Sequence, residues 1–151
     1  RFTASGDDVT PSELISSLGM QELPVEGGYF AQTHRSPEVS AIAYLLQRPD
    51  FSGMHVLEHL EIYNFHTGSP LQMLLLYPDG SVGTPLLSAS NPQVVVPAGV
   101  WQGSAPAGDW SLVGTVVVPP YTDDIVSFGH ADDLCARYPS HAAEIKALCR
   151  F

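Results

Sequence analysis

Positive charge is scarce in this chain. Six Lys and Arg stand against sixteen Asp and Glu, a formal charge of −10 at neutral pH, and such an imbalance repels phosphate backbones and anionic membrane surfaces. Neither nucleic acid nor a membrane is therefore expected as a partner. Long apolar runs are missing too: stretches such as Leu71 to Tyr77 fall well short of the roughly 20 residues that a membrane-crossing helix needs. Cysteine is limited to Cys135 and Cys149, in neither a C-x-x-C nor a zinc-ribbon spacing, which reads as two partly buried thiols rather than a disulfide. There is no G-x-S-x-G and no G-x-x-x-x-G-K, so no frame for a covalent nucleophile or a phosphate loop is present. A basic stretch leading into an apolar run, the mark of a secretory signal, is also lacking. The chain starts at Arg1 rather than Met, which suggests a trimmed natural start, and a cytoplasmic location is the expectation.

What is present suits one small domain spanning residues 1–151. The hydrophobic share of 44% can fill a single core at this length. Thr10-Pro11-Ser12-Glu13 carries an N-cap, a proline at the first helical position and a glutamate three residues on, and Gly19 supplies a stop, so a short helix is expected over 10–19. From 28 to 128 the texture changes to short β-branched and aromatic runs separated by Gly, Pro, Asn and Asp, the spacing of a sandwich or barrel. Strands are expected near 28–35, 40–47, 53–57, 61–66, 70–77, 83–87, 93–97, 99–104, 110–118 and 125–128. Helical patterning returns over 130–150, in two pieces, the second capped by Ser140. The fold class is all-β with short helices at both ends.

Histidine and carboxylate concentrate between Gly53 and Gly68. Strand alternation puts Glu61, Tyr63 and Phe65 on one face and Ile62, Asn64 and His66 on the other. A hairpin at 58–60 would bring His55 and Glu61 onto neighbouring strands with converging side chains. By the same period of two, Tyr29, Thr33 and Arg35 share a face of the first strand. Arg35 reads either as the counter-ion of an anionic ligand or as a structural partner of Glu26 or Glu61. His55 and Glu61 read either as a working pair or as a hydrogen-bonded histidine and a buried carboxylate without a reaction to perform.

Two motifs sharpen this. Glu61 stands seven residues before Gly68, and Pro97-Ala98-Gly99-Val100-Trp101 gives a P-x-G-x2 step; together they resemble the paired motifs of the cupin superfamily, G-x5-H-x-H-x(3,4)-E-x6-G and G-x5-P-x-G-x2-H-x3-N. The runs Glu26-Gly27-Gly28-Tyr29-Phe30, His55 to Leu71, Val95-Val96-Pro97-Ala98-Gly99-Val100-Trp101-Gln102 and Tyr138-Pro139-Ser140-His141 resemble more closely the small stand-alone cupins of the cupin-5 family. The resemblance implies a double-stranded β-helix (jelly-roll) barrel and a homodimer. A metal-binding cupin holds its ion with the two histidines of H-x-H, a glutamate and a third histidine. Here Gly53 stands in the first histidine's place and Gln102 in the last one's. His55, Glu61 and Gln102 are what remains of the ligand set, short of the three strong ligands of a catalytic divalent site. No cofactor is expected beyond a weak or substoichiometric divalent metal.

The resulting expectation is a small-molecule isomerase, epimerase, cyclase or lyase that works by acid/base chemistry on a mostly apolar or sugar-like metabolite. His55 would act as base, Glu61 would orient or charge it, and Tyr63 or Tyr29 would be the acid. Gln102, Arg35, Tyr44 and Thr33 would contact the substrate. A non-catalytic ligand-binding barrel and a metal-dependent oxygenase or lyase are the rival readings.

Overall fold

The computed structural model describes residues 9–151; residues 1–8 of the expected domain lie outside that range. Helix α1 spans Pro11–Leu18. Thr10 caps it by accepting a hydrogen bond from the Glu13 N–H at 3.2 Å, and Gly19 ends it in the left-handed region at φ 64°. The strands follow as β1 Gln21–Glu22, β2 Tyr29–Arg35, β3 Ser40–Gln47, β4 Ser52–Leu57, β5 Leu60–Gly68, β6 Leu71–Leu76, β7 Val82–Gly83, β8 Leu86–Leu87, β9 Gln93–Val96, β10 Trp101–Pro106, β11 Trp110–Val118 and β12 Val126–Phe128. Helices α2, Ala131–Arg137, and α3, Ala142–Leu148, close the described chain. The strand expected over 83–87 is two short pieces, because Pro85 has no N–H to donate to the ladder. Ser140 does not cap α3: its hydroxyl pairs with His141 Nδ1 at 2.9 Å, and a 3₁₀ turn over Pro139–His141 leads into the helix. Among the described residues no helix is long and apolar enough to cross a membrane.

The strands form two antiparallel sheets, β1-β2-β3-β11-β5-β9 and β12-β4-β10-β6-β7, with β8 paired to β6. Alternation decides what lies between them. On β3 the residues Tyr44 and Leu46 point into the space shared by the sheets and pack with Tyr63, Leu71, Met73, Leu75, Val96 and Val113. Their neighbours Ala43 and Leu45 point out, under Leu14 and Ile15 of α1. On the second sheet Met54, Leu74 and Leu76 face outward and are covered by Leu134, Tyr138 and Ile145 of the C-terminal segment, with Trp101 packed beside them. The helices therefore seal the two outer faces, and the interior is left to the barrel. This is a sandwich whose inner faces alternate with outer ones wherever the strands are regular.

Gly28, at φ 80°, enters β2 with no room for a side chain. A Cβ there would come within 2.8 Å of Leu46 Cδ2 and 2.9 Å of the Leu45 carbonyl oxygen. Gly80, at φ 90°, has open space around it. Gly80→Ala should therefore cost about 1 kcal/mol, the price of left-handed backbone alone. Gly28→Ala adds the overpacking and should cost about 3 kcal/mol. Urea unfolding of the two variants measures the difference, and equal losses would contradict this packing.

Candidate functional site

Beside the packed side chains named above the barrel interior holds a cavity of about 470 Å³. Its floor is polar, with Glu26, Tyr44, His55, Glu61, Tyr63 and Thr115. Phe30, Ile42, Leu57, Val117 and Phe128 form apolar walls, and Arg35, Tyr121 and Asp123 sit nearer the mouth. β4 and β5 are consecutive but belong to different sheets. His55 and Glu61 thus face each other across the cavity, not side by side on a hairpin, because the turn at 58–59 crosses from one sheet to the other.

His55 is 2% exposed. Its Nδ1 lies 2.7 Å from the Gly53 carbonyl oxygen, which can only accept, so Nδ1 carries a proton and Nε2 is the nitrogen available to the cavity. Nε2 looks at Glu26 Oε1 from 3.7 Å, too far for a hydrogen bond but close enough for an ion pair once the ring is protonated. The Ser52 hydroxyl donates to Glu26 Oε2 at 2.8 Å and fixes the carboxylate. Opposite, Glu61 Oε1 accepts from Gln102 Nε2 at 2.9 Å, and Gln102 Oε1 accepts from the Tyr63 hydroxyl at 2.6 Å. Burial pushes the Glu61 carboxyl above its ordinary range, with His55 pulling partly the other way. The Thr115 hydroxyl, buried on the cavity wall, is close enough to favour the Glu61 anion without completing a hydrogen bond. Burial also holds the Tyr63 and Tyr44 phenols well above their ordinary value. Tyr44 donates to the Gly27 carbonyl at 2.6 Å. Each phenol is neutral, with its one proton already engaged.

The fold and the paired motifs now meet a direct match: the model of the family described as Cupin superfamily (DUF985), Cupin_5, covers residues 12–128. The chain is a cupin. Protein SO0799 from Shewanella oneidensis is 31% identical, with a TM-score of 0.87 over 94% of this chain and 98% of that one. A hypothetical protein from Leishmania major reaches a TM-score of 0.86 at 24% identity over 93% and 99% of the two chains. An oxalate decarboxylase from Bacillus subtilis shares the fold at 10% identity, with a TM-score of 0.61 over 85% of this chain and 37% of that one. No functionally curated protein is similar enough in sequence to match.

The site of this cupin departs from the sequence reading in several places, each with a local cause. Thr33 is an extra residue on β2: Gln32 pairs with Ile42 and His34 with the adjacent Ala41. That bulge flips the strand's phase, so Phe30, Gln32 and Arg35 line the cavity while Tyr29 and Thr33 do not. Tyr29 instead packs with the α1 side of the sheet and donates to Glu22 at 3.3 Å. Arg35 pairs with neither Glu26 nor Glu61; its Nη1 donates to the Tyr121 carbonyl at 2.8 Å. Gln102 sits behind Glu61 and does not line the cavity. A second bulge sets Gly53 and Met54 of β4 opposite Gly103, since Gln102 pairs with His55 and Ser104 with Ser52. A Cβ at Gly53 would lie 3.1 Å from Arg150 Cγ, facing the C-terminal arginine and not the cavity. Position 53 therefore cannot supply the missing histidine, and the Gln102 amide is occupied on both sides. Among the described residues no group of three His, Cys, Asp or Glu is placed to hold a metal, so the donor set does not fit the ion that the superfamily's histidine motif binds.

Glu26 is the residue that sequence reasoning missed as part of the site. It sits in an irregular loop where no periodicity points inward, and its one signal was its place in Glu26-Gly27-Gly28-Tyr29-Phe30. The loop is held in a costly shape: Val25, β-branched, has φ 68°, a left-handed backbone worth about 1–3 kcal/mol of strain. Arg150 clamps it, donating from Nε to the Glu26 carbonyl at 3.1 Å and pairing through Nη2 with Asp50 Oδ1 at 2.8 Å.

The raised carboxyl of Glu61 has a sign that can be measured. A carboxyl lifted above its ordinary 4.5 favours folding when protonated, and that contribution is lost as pH rises through the lifted value. Glu61→Gln stays neutral, keeps an oxygen for Gln102 and escapes the loss. Its melting temperature relative to the parent should rise between about pH 4 and about pH 8. A relative melting temperature that falls over that range would show that the carboxylate is favoured at this position.

Proposed function

We propose that this cupin is a small-molecule enzyme of the isomerase, epimerase, cyclase or lyase kind that moves a proton on a mostly apolar or sugar-like metabolite. The observation that carries this reading is the fixed His55 ring, its Nδ1–H bound to Gly53 and its Nε2 turned toward Glu26. In this reading Nε2 takes a proton from the bound molecule, and the Glu26 carboxylate stabilises the imidazolium that forms. Glu61, which burial makes easier to protonate than an ordinary glutamate, gives a proton back from the facing sheet. Two such groups on opposite sides of a carbon suit inversion or migration of a double bond. Tyr63 and Gln102 keep Glu61 in place, and the walls exclude water. The cavity volume lies in the range of small-molecule sites.

The closed chain from Tyr63 through Gln102 to Glu61 favours a second reading, a barrel that binds its ligand without reaction. Incubation of cell-extracted metabolites with the protein in deuterium oxide, followed by mass spectrometry, separates the two. Under the enzyme reading one compound gains deuterium or is converted, His55→Ala slows this by about 10²–10⁴, and His66→Ala, on the other face of β5, leaves it unchanged. A retained ligand with no exchange at any pH would establish the binding barrel.

The reading assigns no cofactor and no tightly held metal, since the groups at positions 53 and 102 are turned away or occupied. Elemental analysis of the purified protein should give well under one transition-metal ion per chain. A full ion that disappears in His55→Ala would overturn it.

A further inference from the structure

We infer that the molecule this cavity accepts is a monocarboxylate with an apolar body and a carbonyl or hydroxyl at its far end, its carboxylate seated on Arg35. The inference rests on the acid/base reading of the floor and names the substrate class. Among the residues that line the cavity Arg35 is the one permanent cation, and Glu26, Glu61 and Asp123 are the acidic ones. The chain has ten fewer basic than acidic residues, yet the ion pairs among the described residues are His55 with Glu26 and Arg150 with Asp50. Arg35 has no carboxylate partner there. It reaches the cavity because of the bulge at Thr33, the kind of irregularity that re-aims a side chain. Its guanidinium is oriented by the Tyr121 carbonyl, and that strand end is tied down by the Tyr121 N–H donating to Ser40 Oγ at 2.9 Å. One of its five N–H groups is used in this way, and among the described residues the rest of the fork has no partner.

A planar fork matches a carboxylate in two parallel hydrogen bonds. A doubly charged phosphate would meet the Glu26 and Asp123 carboxylates and the Glu61 carboxyl with a single cation, so the balance of charge selects a monoanion. Between mouth and floor the lining is Phe30, Ile42, Leu57, Val117 and Phe128, which suits a hydrocarbon segment. At the floor the buried Thr115 hydroxyl lies beside Glu61 and completes no hydrogen bond among the described residues. A buried donor in that condition costs free energy until a ligand oxygen meets it, and a carbonyl or hydroxyl next to His55 Nε2 would do so.

The test uses 5-oxohexanoate and its neutral isostere 5-oxohexanamide, titrated into the full chain by calorimetry. The carboxylate should bind about tenfold more tightly than the amide. Arg35→Met should remove that preference, added salt should weaken only the acid, and Asp123→Asn should strengthen it. Arg35 is exposed, so Arg35→Met folds, and an unchanged melting curve verifies this. Equal affinities in the parent, a preference that survives Arg35→Met, or no binding of either compound at about 10 mM would overturn the inference. Deuterium uptake at the carbon beside the ketone reports the floor separately. Arg35-dependent binding without uptake would defeat the acid/base reading and leave the carboxylate seat standing; uptake from acid and amide alike, with equal affinities, would do the reverse.

Discussion

The buried amide of Gln102 ties the two sheets together at the floor of the cavity, and an amide can do this because it donates and accepts at once. Its oxygen takes the Tyr63 proton and its nitrogen serves Glu61, both on β5 of the facing sheet, while its backbone neighbour across the ladder is His55. A histidine in its place could not meet a phenol and a carboxylate with the same two geometries. The residue that ends one possibility, a four-ligand metal centre, is thus the one that arranges the other. Glu61 stays buried and carboxyl-bearing because an amide, not an ion, accompanies it.

Around that amide the groups are arranged so that one imidazole lies between two carboxyl groups of unlike surroundings. Glu26 comes from a surface loop and has a serine hydroxyl for support. Glu61 comes from the middle of a strand and has lost its water. In the proposed reading, groups of one chemical type in unequal environments divide the roles of proton donor and charge stabiliser between them. The division depends on where each backbone segment runs, and hardly at all on the side chains' own chemistry.

Much of this was legible in the sequence, and the losses have definite causes. The alternation in Glu61-Ile62-Tyr63 gives the face of β5 because that strand is regular there. The same rule fails on β2 beyond Phe30, since one inserted residue, Thr33, reverses the phase and no residue type marks the insertion. It fails at Gly53 for the same reason: spacing from His55 places it beside the histidine, and the bulge opposite Gly103 turns it toward Arg150. His55 and Glu61 were readable as a converging pair from their nearness in the chain. Their position on opposite sheets was not, because a short connection can serve a hairpin or a crossing between sheets equally well. Glu26 was beyond periodicity altogether, being set by loop geometry and by a contact 124 positions away.

That distant contact gives the site an order of assembly. Glu26 and Arg150 stand far apart along the chain, so the loop that presents the carboxylate stays unclamped until the segment carrying the arginine has docked. With Val25 strained, that loop has little reason to hold its final shape before the arginine arrives. Closing so long a loop is slow compared with pairing neighbouring strands. The barrel can therefore be complete as a fold before it is complete as a site, with the docking of Arg150 as the finishing step.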